Sequence, residues 1–361
     1  MRTRAGTAGT AGTAGTVGTV VTAVLVAVAP LHAQGPRPVL TDQTSGTTAL
    51  LQAVSPVNER VVWVSGHKAA FARTTDGGVT WKAGTVPGDT TLQFRDVHAV
   101  DENTAYLLSS GTGKASRIYK TTDAGTTWKL QYTNPDSTGF YDCMDFWDQD
   151  FGLVYGDEVD GQAVVLATTN GGTRWLRLPS EMLPEPRKGE GGFAASGTCL
   201  VARNPGHAWI GTGAGLAARV FHTTNRGGTW SVVETPIFHD AAASGIATLA
   251  FRDSLNGFAA GGNIGDANTH TSNVAVTTDG GKTWMLKGQP NMTGAIYGSV
   301  YVPGRPTPTV IIVSPKGAEY SANNGGTWTT LSANPYWAAG FAPNGTGWMV
   351  GPGGRITRIT F

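Results

Sequence analysis

The residues that invite a chemical reading lie in the middle of the 361-residue chain. Tyr141 and Asp142 sit in Phe140-Tyr141-Asp142-Cys143, Asp157 follows Gly156, and Glu190 lies in Gly189-Glu190-Gly191-Gly192. A carboxylate pair such as Asp142 and Glu190, facing each other at the start of adjacent strands, could do general acid/base work on a glycoside. The plainer expectation is that each caps strand N–H groups or is solvated, so no catalytic set is assigned. His239, Asp266 and His270 are the material for a metal site. They fall on two separate segments without ligand spacing, so no metal and no cofactor is expected. Tyr141, Asp142, Asp157, Glu190, His239 and Asp266 are therefore carried as candidate residues for binding a ligand or partner. The chain has only two cysteines, Cys143 and Cys199, and no CxxC or CxxCH.

Charge and chain ends narrow the classes. Lysine and arginine total 26 against 25 acidic residues, a net charge of +1. Residues 1–33 read as a secretory signal peptide: Arg2 and Arg4, the 13-residue apolar run Val17 to Ala29, and cleavage near Ala33–Gln34. The run is short for a membrane span of roughly 20 residues. Without Arg2 and Arg4 the balance is 24 basic against 25 acidic, a net charge of −1. Such a chain offers no electrostatic case for nucleic acid or an anionic membrane. An exported, periplasmic or secreted monomer is expected. In that compartment Cys143 and Cys199 could form a disulfide.

The elements that position these residues announce themselves by repetition. An octamer recurs six times: TTDGGVTW, TTDAGTTW, TTNGGTRW, TTNRGGTW, TTDGGKTW and SANNGGTW. The closing residues are Trp81, Trp128, Trp175, Trp230, Trp284 and Trp328, at intervals of 47, 47, 55, 54 and 44. A period near 50 with strand-like segments marks a propeller or solenoid. The third residue (Asp76, Asp123, Asn170, Asn225, Asp279 or Asn323) is expected to accept from backbone N–H groups two residues on. The fifth is always glycine, suited to positive φ. Each octamer is thus a hairpin turn, with the indole packing under it. Arg174 replaces threonine in the third copy, which should keep the turn and lose one hydroxyl bond.

Each repeat has room for four strands. In the third they are placed at Cys143–Trp147, Gly152–Gly156, Ala163–Thr168 and Trp175–Leu178. Six repeats carry the octamer, and a seventh of three strands ends the chain at Trp337–Phe341, Gly347–Gly351 and Arg355–Ile359. The strand Pro38–Gln43 is left unpaired at the other end. Pairing it into the last repeat closes the ring and removes exposed edges. The expectation is an all-β, seven-bladed propeller of four-stranded antiparallel blades over residues 36–361. Trp147, Trp209 and Trp348 belong to its core. Loops into the innermost strands and between second and third strands share one face. The longest (Gln131–Phe140, Asp157–Gln162, Pro179–Gly192, Thr235–Ser244 and Gly262–Ser272) put a binding surface on blades 3 to 5. Aligning blades 3 and 4 sets Cys143 and Cys199 one residue out of step, the parity an inter-blade bridge requires.

The octamer resembles the Asp-box, or BNR repeat, of sialidases, sortilin-type receptors and xyloglucanases. Length, export signal and blade count are more similar to the photosystem II stability/assembly factor family and its bacterial relatives, some labelled "oxidoreductase". Phe140–Asp148 with Gly156-Asp157, and Gly189–Thr198, carry that closer likeness. It implies a non-enzymatic binding or assembly module with a periplasmic or membrane-protein segment as partner. The alternative is a glycan-binding or glycoside-hydrolysing propeller.

Overall fold

The computed structural model describes residues 6–15 and 37–361. Residues 6–15 form no regular secondary structure, and the apolar run 17–29 with the expected cleavage point lies outside the described residues. Among the described residues, no helix is long and apolar enough to cross a membrane.

The strands pair into seven antiparallel sheets of four. Strand β1 (Val39–Thr44) comes first in the chain. Blade 1 is β2 (Leu51–Pro56), β3 (Val62–Gly66), β4 (Ala70–Thr74) and β5 (Lys82–Thr85). Blade 2 is β6 (Phe94–Ala99), β7 (Ala105–Ser109), β8 (Arg117–Thr121) and β9 (Lys129–Thr133). Blade 3 is β10 (Tyr141–Phe146), β11 (Gly152–Val159), β12 (Gln162–Thr168) and β13 (Leu176–Arg177). Blade 4 is β14 (Leu200–Arg203), β15 (His207–Gly211), β16 (Arg219–Thr223) and β17 (Ser231–Glu234). Blade 5 is β18 (Ser244–Phe251), β19 (Gly257–Asn263), β20 (Val274–Thr277) and β21 (Met285–Leu286). Blade 6 is β22 (Gly298–Tyr301), β23 (Val310–Ser314), β24 (Gly317–Ser321) and β25 (Thr329–Ser332). Blade 7 is β26 (Ala338–Phe341), β27 (Gly347–Val350) and β28 (Arg355–Thr360), completed by β1 as its outer strand, Val39 opposite Thr360 and Thr44 opposite Arg355. The inner strands touch in succession, and β26 touches β2, so the ring closes.

Apolar residues fill the spaces between blades rather than one centre. Trp63 and Phe71 of blade 1 pack with Phe94 and Leu107 of blade 2. Phe258 of blade 5 meets Ile312 of blade 6, and Trp348 of blade 7 meets Val62 and Val64 of blade 1. Seven such clusters serve seven interfaces. A strand buried on both faces reads as a near-continuous apolar run, and Trp147, Trp209 and Trp348 are all buried as expected.

The inner edges face a channel and need partners for their N–H groups. Side chains of the preceding blade supply them. Ser55 Oγ accepts from Ala99 N (3.0 Å), Asp96 Oδ2 from Met144 N (2.6 Å), Asp145 Oδ2 from Ala202 N (2.7 Å) and Thr248 Oγ1 from Ser299 N (2.9 Å).

The six octamers share one hydrogen-bond pattern that differs from the expected one. In the first, the Asp76 carboxylate accepts from Thr80 N (2.9 Å) and the Thr80 hydroxyl, four residues on. The amide two residues on from the first position belongs to Asp76 itself, and Thr74 Oγ1 accepts from it and from Gly78 N. The opening hydroxyl and the acid therefore divide the turn between them. Arg174 N still reaches Asn170 Oδ1 (2.9 Å), and no side-chain bond replaces the missing hydroxyl. The fourth position is also left-handed, even where it is Ala124, Arg226 or Asn324.

Candidate functional site

The face carrying the loops into β2, β6 and β10 is called the upper face. All three strands bulge near that end, between Leu51 and Ala53, Phe94 and Asp96, and Tyr141 and Cys143. A bulge inserts one extra residue and re-aims its side chain. The extra residues are Gln52, Arg95 and Asp142. Arg95 donates from Nε and Nη2 to Gln93 Oε1 (3.1 and 2.6 Å), and its guanidinium lies 5.9 Å from the Phe140 ring centroid. Burial lowers the Arg95 pKa, while attraction to Asp142 opposes that shift. Burial also lowers the pKa of His67 on blade 1, and the Arg95 charge adds to the effect. His67 Nε2 and Gln52 Oε1 are buried without a hydrogen-bond partner. Guanidinium, imidazole and aromatic ring thus come together at the mouth of blades 1 to 3.

Asp142 and Asp157 form a second group under the segment Gly191-Gly192. Asp142 is 1% exposed, and its Oδ2 meets no donor. Gly192 N donates to Asp157 Oδ1 (3.1 Å). A Cβ on Gly191 would fall on Asp157 Oδ1, and one on Gly192 would come within 2.7 Å of Asp142 Cγ. Both glycines are there because the carboxylates leave no space for a side chain. Burial raises the Asp142 pKa well above the carboxylate range, and repulsion from Asp157 adds to it. Burial likewise raises Asp157, to about 6, against the Gly192 hydrogen bond. Burial and the neighbouring Asp157 charge both disfavour ionisation of Asp142, so folding favours its protonated form.

The pair therefore carries a pH prediction. Acids with raised folded pKa values stabilise the fold most below their unfolded pKa, near 4, and lose that contribution as pH rises through the folded value. Wild-type stability is expected to fall from about pH 4 through 6 and beyond, by up to about 1.4 kcal/mol per pH unit for each proton retained. Asp142→Asn removes one of the two titrating groups while keeping its size, and should flatten the slope. Urea titrations at several pH values check this; an unchanged slope in the variant would refute the preference of the fold for protonated Asp142.

Glu190 is placed differently from expectation. It lies ten residues before β14, not at the start of an inner strand, and does not confront Asp142 across the channel. The long connection into blade 4 folds it inward instead. Glu190 Oε1 accepts from Arg219 Nε (2.9 Å) and Thr212 Oγ1 (2.5 Å). Oε2 accepts from Arg219 Nη2 and Arg187 N (2.8 Å). The carboxylate is 0% exposed and the Arg219 side chain 9%. Around this pair Gly191 bridges Gly213, and Gly213 bridges Gly245, so the loops of blades 4 and 5 are sewn together.

The remaining candidates are local. Asp157 belongs to β11 rather than a loop, because β11 and β12 meet at a two-residue turn with Val159 opposite Gln162. Tyr141 is buried and donates to Asn134 Oδ1 (3.1 Å). Asp266 accepts from Asn268 N (2.9 Å) and the Thr269 hydroxyl, closing its own turn. His239 Nδ1 contacts Ile237 O (2.7 Å), and His270 contacts Pro290 O. No group of three or more metal-ligating side chains occurs among the described residues. Cys143 and Cys199 are joined in a disulfide, their Cα atoms 5.8 Å apart, and it links blade 3 to the strand entering blade 4. Sequence reading missed Arg95, Arg219, His67 and Gln52. Arg219 opens a third strand and ends a second-to-third loop, a position that already belonged to the upper face. Arg95 and Gln52 depend on the bulges, and His67 lies in the short turn between β3 and β4.

The Glu190 grouping is sealed and fully paired, whereas Asp142 Oδ2, His67 Nε2 and Gln52 Oε1 are buried without partners. No family model matches the chain, and no curated protein matches it. Solved structures do. One described as YCF48 bound to D1 peptide aligns over 90% of this chain and 97% of that chain, at 16% identity and a TM-score of 0.63. YCF48 from Cyanidioschyzon merolae aligns over 89% and 98%, at 13% identity and a TM-score of 0.63. The GH74 xyloglucanase from Xanthomonas campestris aligns over 88% of this chain but 53% of that one, at 12% identity and a TM-score of 0.61. The chain is a closed seven-bladed β-propeller whose fold is similar to that of YCF48, the photosystem II assembly factor.

Proposed function

We propose that the chain is an exported, non-enzymatic binding module that docks a protein segment on its upper face. The observation that carries this reading is the Arg95 cluster, where a guanidinium beside Phe140 lies near enough to His67, whose buried Nε2 has no partner, for its charge to lower the imidazole pKa. Buried polar atoms without partners are uncommon and mark places where a ligand can supply the missing bonds. The fold similarity to YCF48 bound to D1 peptide supports a peptide as occupant. The Cys143–Cys199 bond supports an oxidising compartment, since such bonds are rare in the cytosol.

Panning a displayed peptide library on the protein tests the reading. An enriched consensus peptide is expected, with affinity falling about tenfold or more in Arg95→Gln. No consensus, or equal binding by the variant, would sink it. The glycan-acting alternative draws on the xyloglucanase similarity, but buried Asp142 and Glu190 offer no open acid/base pair. Release of reducing sugar from a glucan by this protein would reverse that judgement.

A further inference from the structure

The opposite, lower face carries the turns between first and second strands. Five of its seven turns are five residues long: 57–61, 100–104, 147–151, 252–256 and 342–346. All are built alike, as an Asx turn. Asn58, Asp101, Asp148, Asp253 and Asn344 each accept from backbone N–H groups further along their own turn. Blade 4 shortens the turn to Asn204-Pro205-Gly206, with a cis peptide bond. Blade 6 lengthens it to eight residues, 302–309, and stiffens it with Pro303, Pro306 and Pro308. Proline fixes φ and reduces the freedom a loop would lose on binding.

The two departures flank one standard turn, and a cavity of about 340 Å³ opens between that turn and the long one, with Arg203 at the end of β14 on its wall. Its polar lining is Arg203 from the end of β14, Arg252 and Asp253 from blade 5, and Arg305 with Thr307 and Thr309 from the long turn. Arg203 is committed: Nη1 donates to Phe251 O (2.5 Å) and Nη2 to Arg252 O (2.7 Å). Asp253 is committed too, to Leu255 N, Asn256 N and the Asn256 amide, and its pairing with Arg252 Nε is long at 3.5 Å. Arg305 is held with its guanidinium 4.8 Å from the Phe361 ring centroid, while its Nε is buried without a partner. Three guanidinium groups thus line one cavity against a single carboxylate already in use. An excess of this kind is stable where an anion completes it.

We propose that this lower-face cavity is a binding site for a small ligand bearing an oxyanion, a phosphoryl or carboxylate group taken by Arg252 and Arg305. The cavity volume is that of a small-molecule site rather than a macromolecular surface. Tyr301, Pro303 and Pro308 wall it, and Thr307 and Thr309 supply the polar rim. The site is independent of the upper-face docking reading and can fail or stand without it.

Isothermal titration calorimetry on the full folded chain, at about 0.15 M ionic strength to suppress loose surface binding, provides the test. The probes are inorganic phosphate and citrate. One-site binding of at least one of them is expected, and the responding probe tells phosphoryl from carboxylate. Arg305→Gln and Arg252→Gln should each weaken it about tenfold or more, whereas Arg60→Gln, on the blade 1 turn, should leave it unchanged. Circular dichroism establishes that each variant is folded. No heat from the wild type with either probe at about 10 mM would overturn the proposal. So would equal weakening by Arg60→Gln, or binding undiminished in the Arg252→Gln/Arg305→Gln double variant.

Discussion

Replacing Glu190 with alanine is expected to destabilise the propeller by about 3–5 kcal/mol, read as a lower urea midpoint. Four donors converge on that carboxylate, and three of them are Arg219 Nε, Arg219 Nη2 and the Thr212 hydroxyl. Removing it leaves a nearly buried guanidinium with Glu185 O as its remaining acceptor. The cost comes from the stranded charge more than from the lost attraction. A Glu190→Leu/Arg219→Met double variant should therefore recover most of the loss, because a buried ion pair and an apolar pair of similar volume lie close in stability. A double variant as unstable as the single would show that the pair itself, not the stranded charge, matters. The same substitution should loosen the connection that holds Gly191 and Gly192 over Asp142 and Asp157, giving a second readout in the pH slope.

The Cys143→Ala/Cys199→Ala variant should lose about 4 kcal/mol, the loop-closure value for a cross-link between residues 56 apart. Both cysteines are fully buried, so alanine leaves no unsatisfied hydroxyl. The bond ties β10 to the strand entering blade 4 where the longest upper-face connection runs, and little else restrains that connection in the unfolded chain. Urea unfolding of the variant beside the wild type measures the effect. Two free thiols in the wild type unfolded without reductant would remove its premise.

The fold was legible because its decisive signals are local. Each octamer satisfies most of its own turn, with only the fourth-position N–H reaching outside it, to the turn between the first two strands of the same blade, so six copies place six hairpins without knowledge of anything distant. Even there the reading assigned the wrong amide to Asp76, because the Thr74 hydroxyl competes for the nearer one. The Asp160-Gly161 turn carried a local signal that went unread. Both residues have positive φ (54° and 76°), the requirement of a two-residue hairpin, and that is why Asp157 is strand and not loop. The site was harder for a physical reason. Arg219 meets Glu190 across 29 residues, and Arg95, Gln52 and Asp142 are re-aimed by bulges that exist only once strands pair. Side-chain types at those positions say nothing about such re-aiming.

The seam between β1 and β28 sets a clock on the molecule. Val39 pairs with Thr360, so β1 waits for a strand far along the chain before it has a partner. The interval is 321 residues, about 16–64 s at ordinary ribosome speeds of about 5–20 residues per second. Six blades can assemble while the chain grows, but the interface between blades 7 and 1, with Trp348 against Val62 and Val64, cannot. Completion of the ring therefore waits until β26 to β28 have been made. Until it occurs, the growing protein carries one bare inter-blade face and one unpaired strand, which is the state a chaperone would meet.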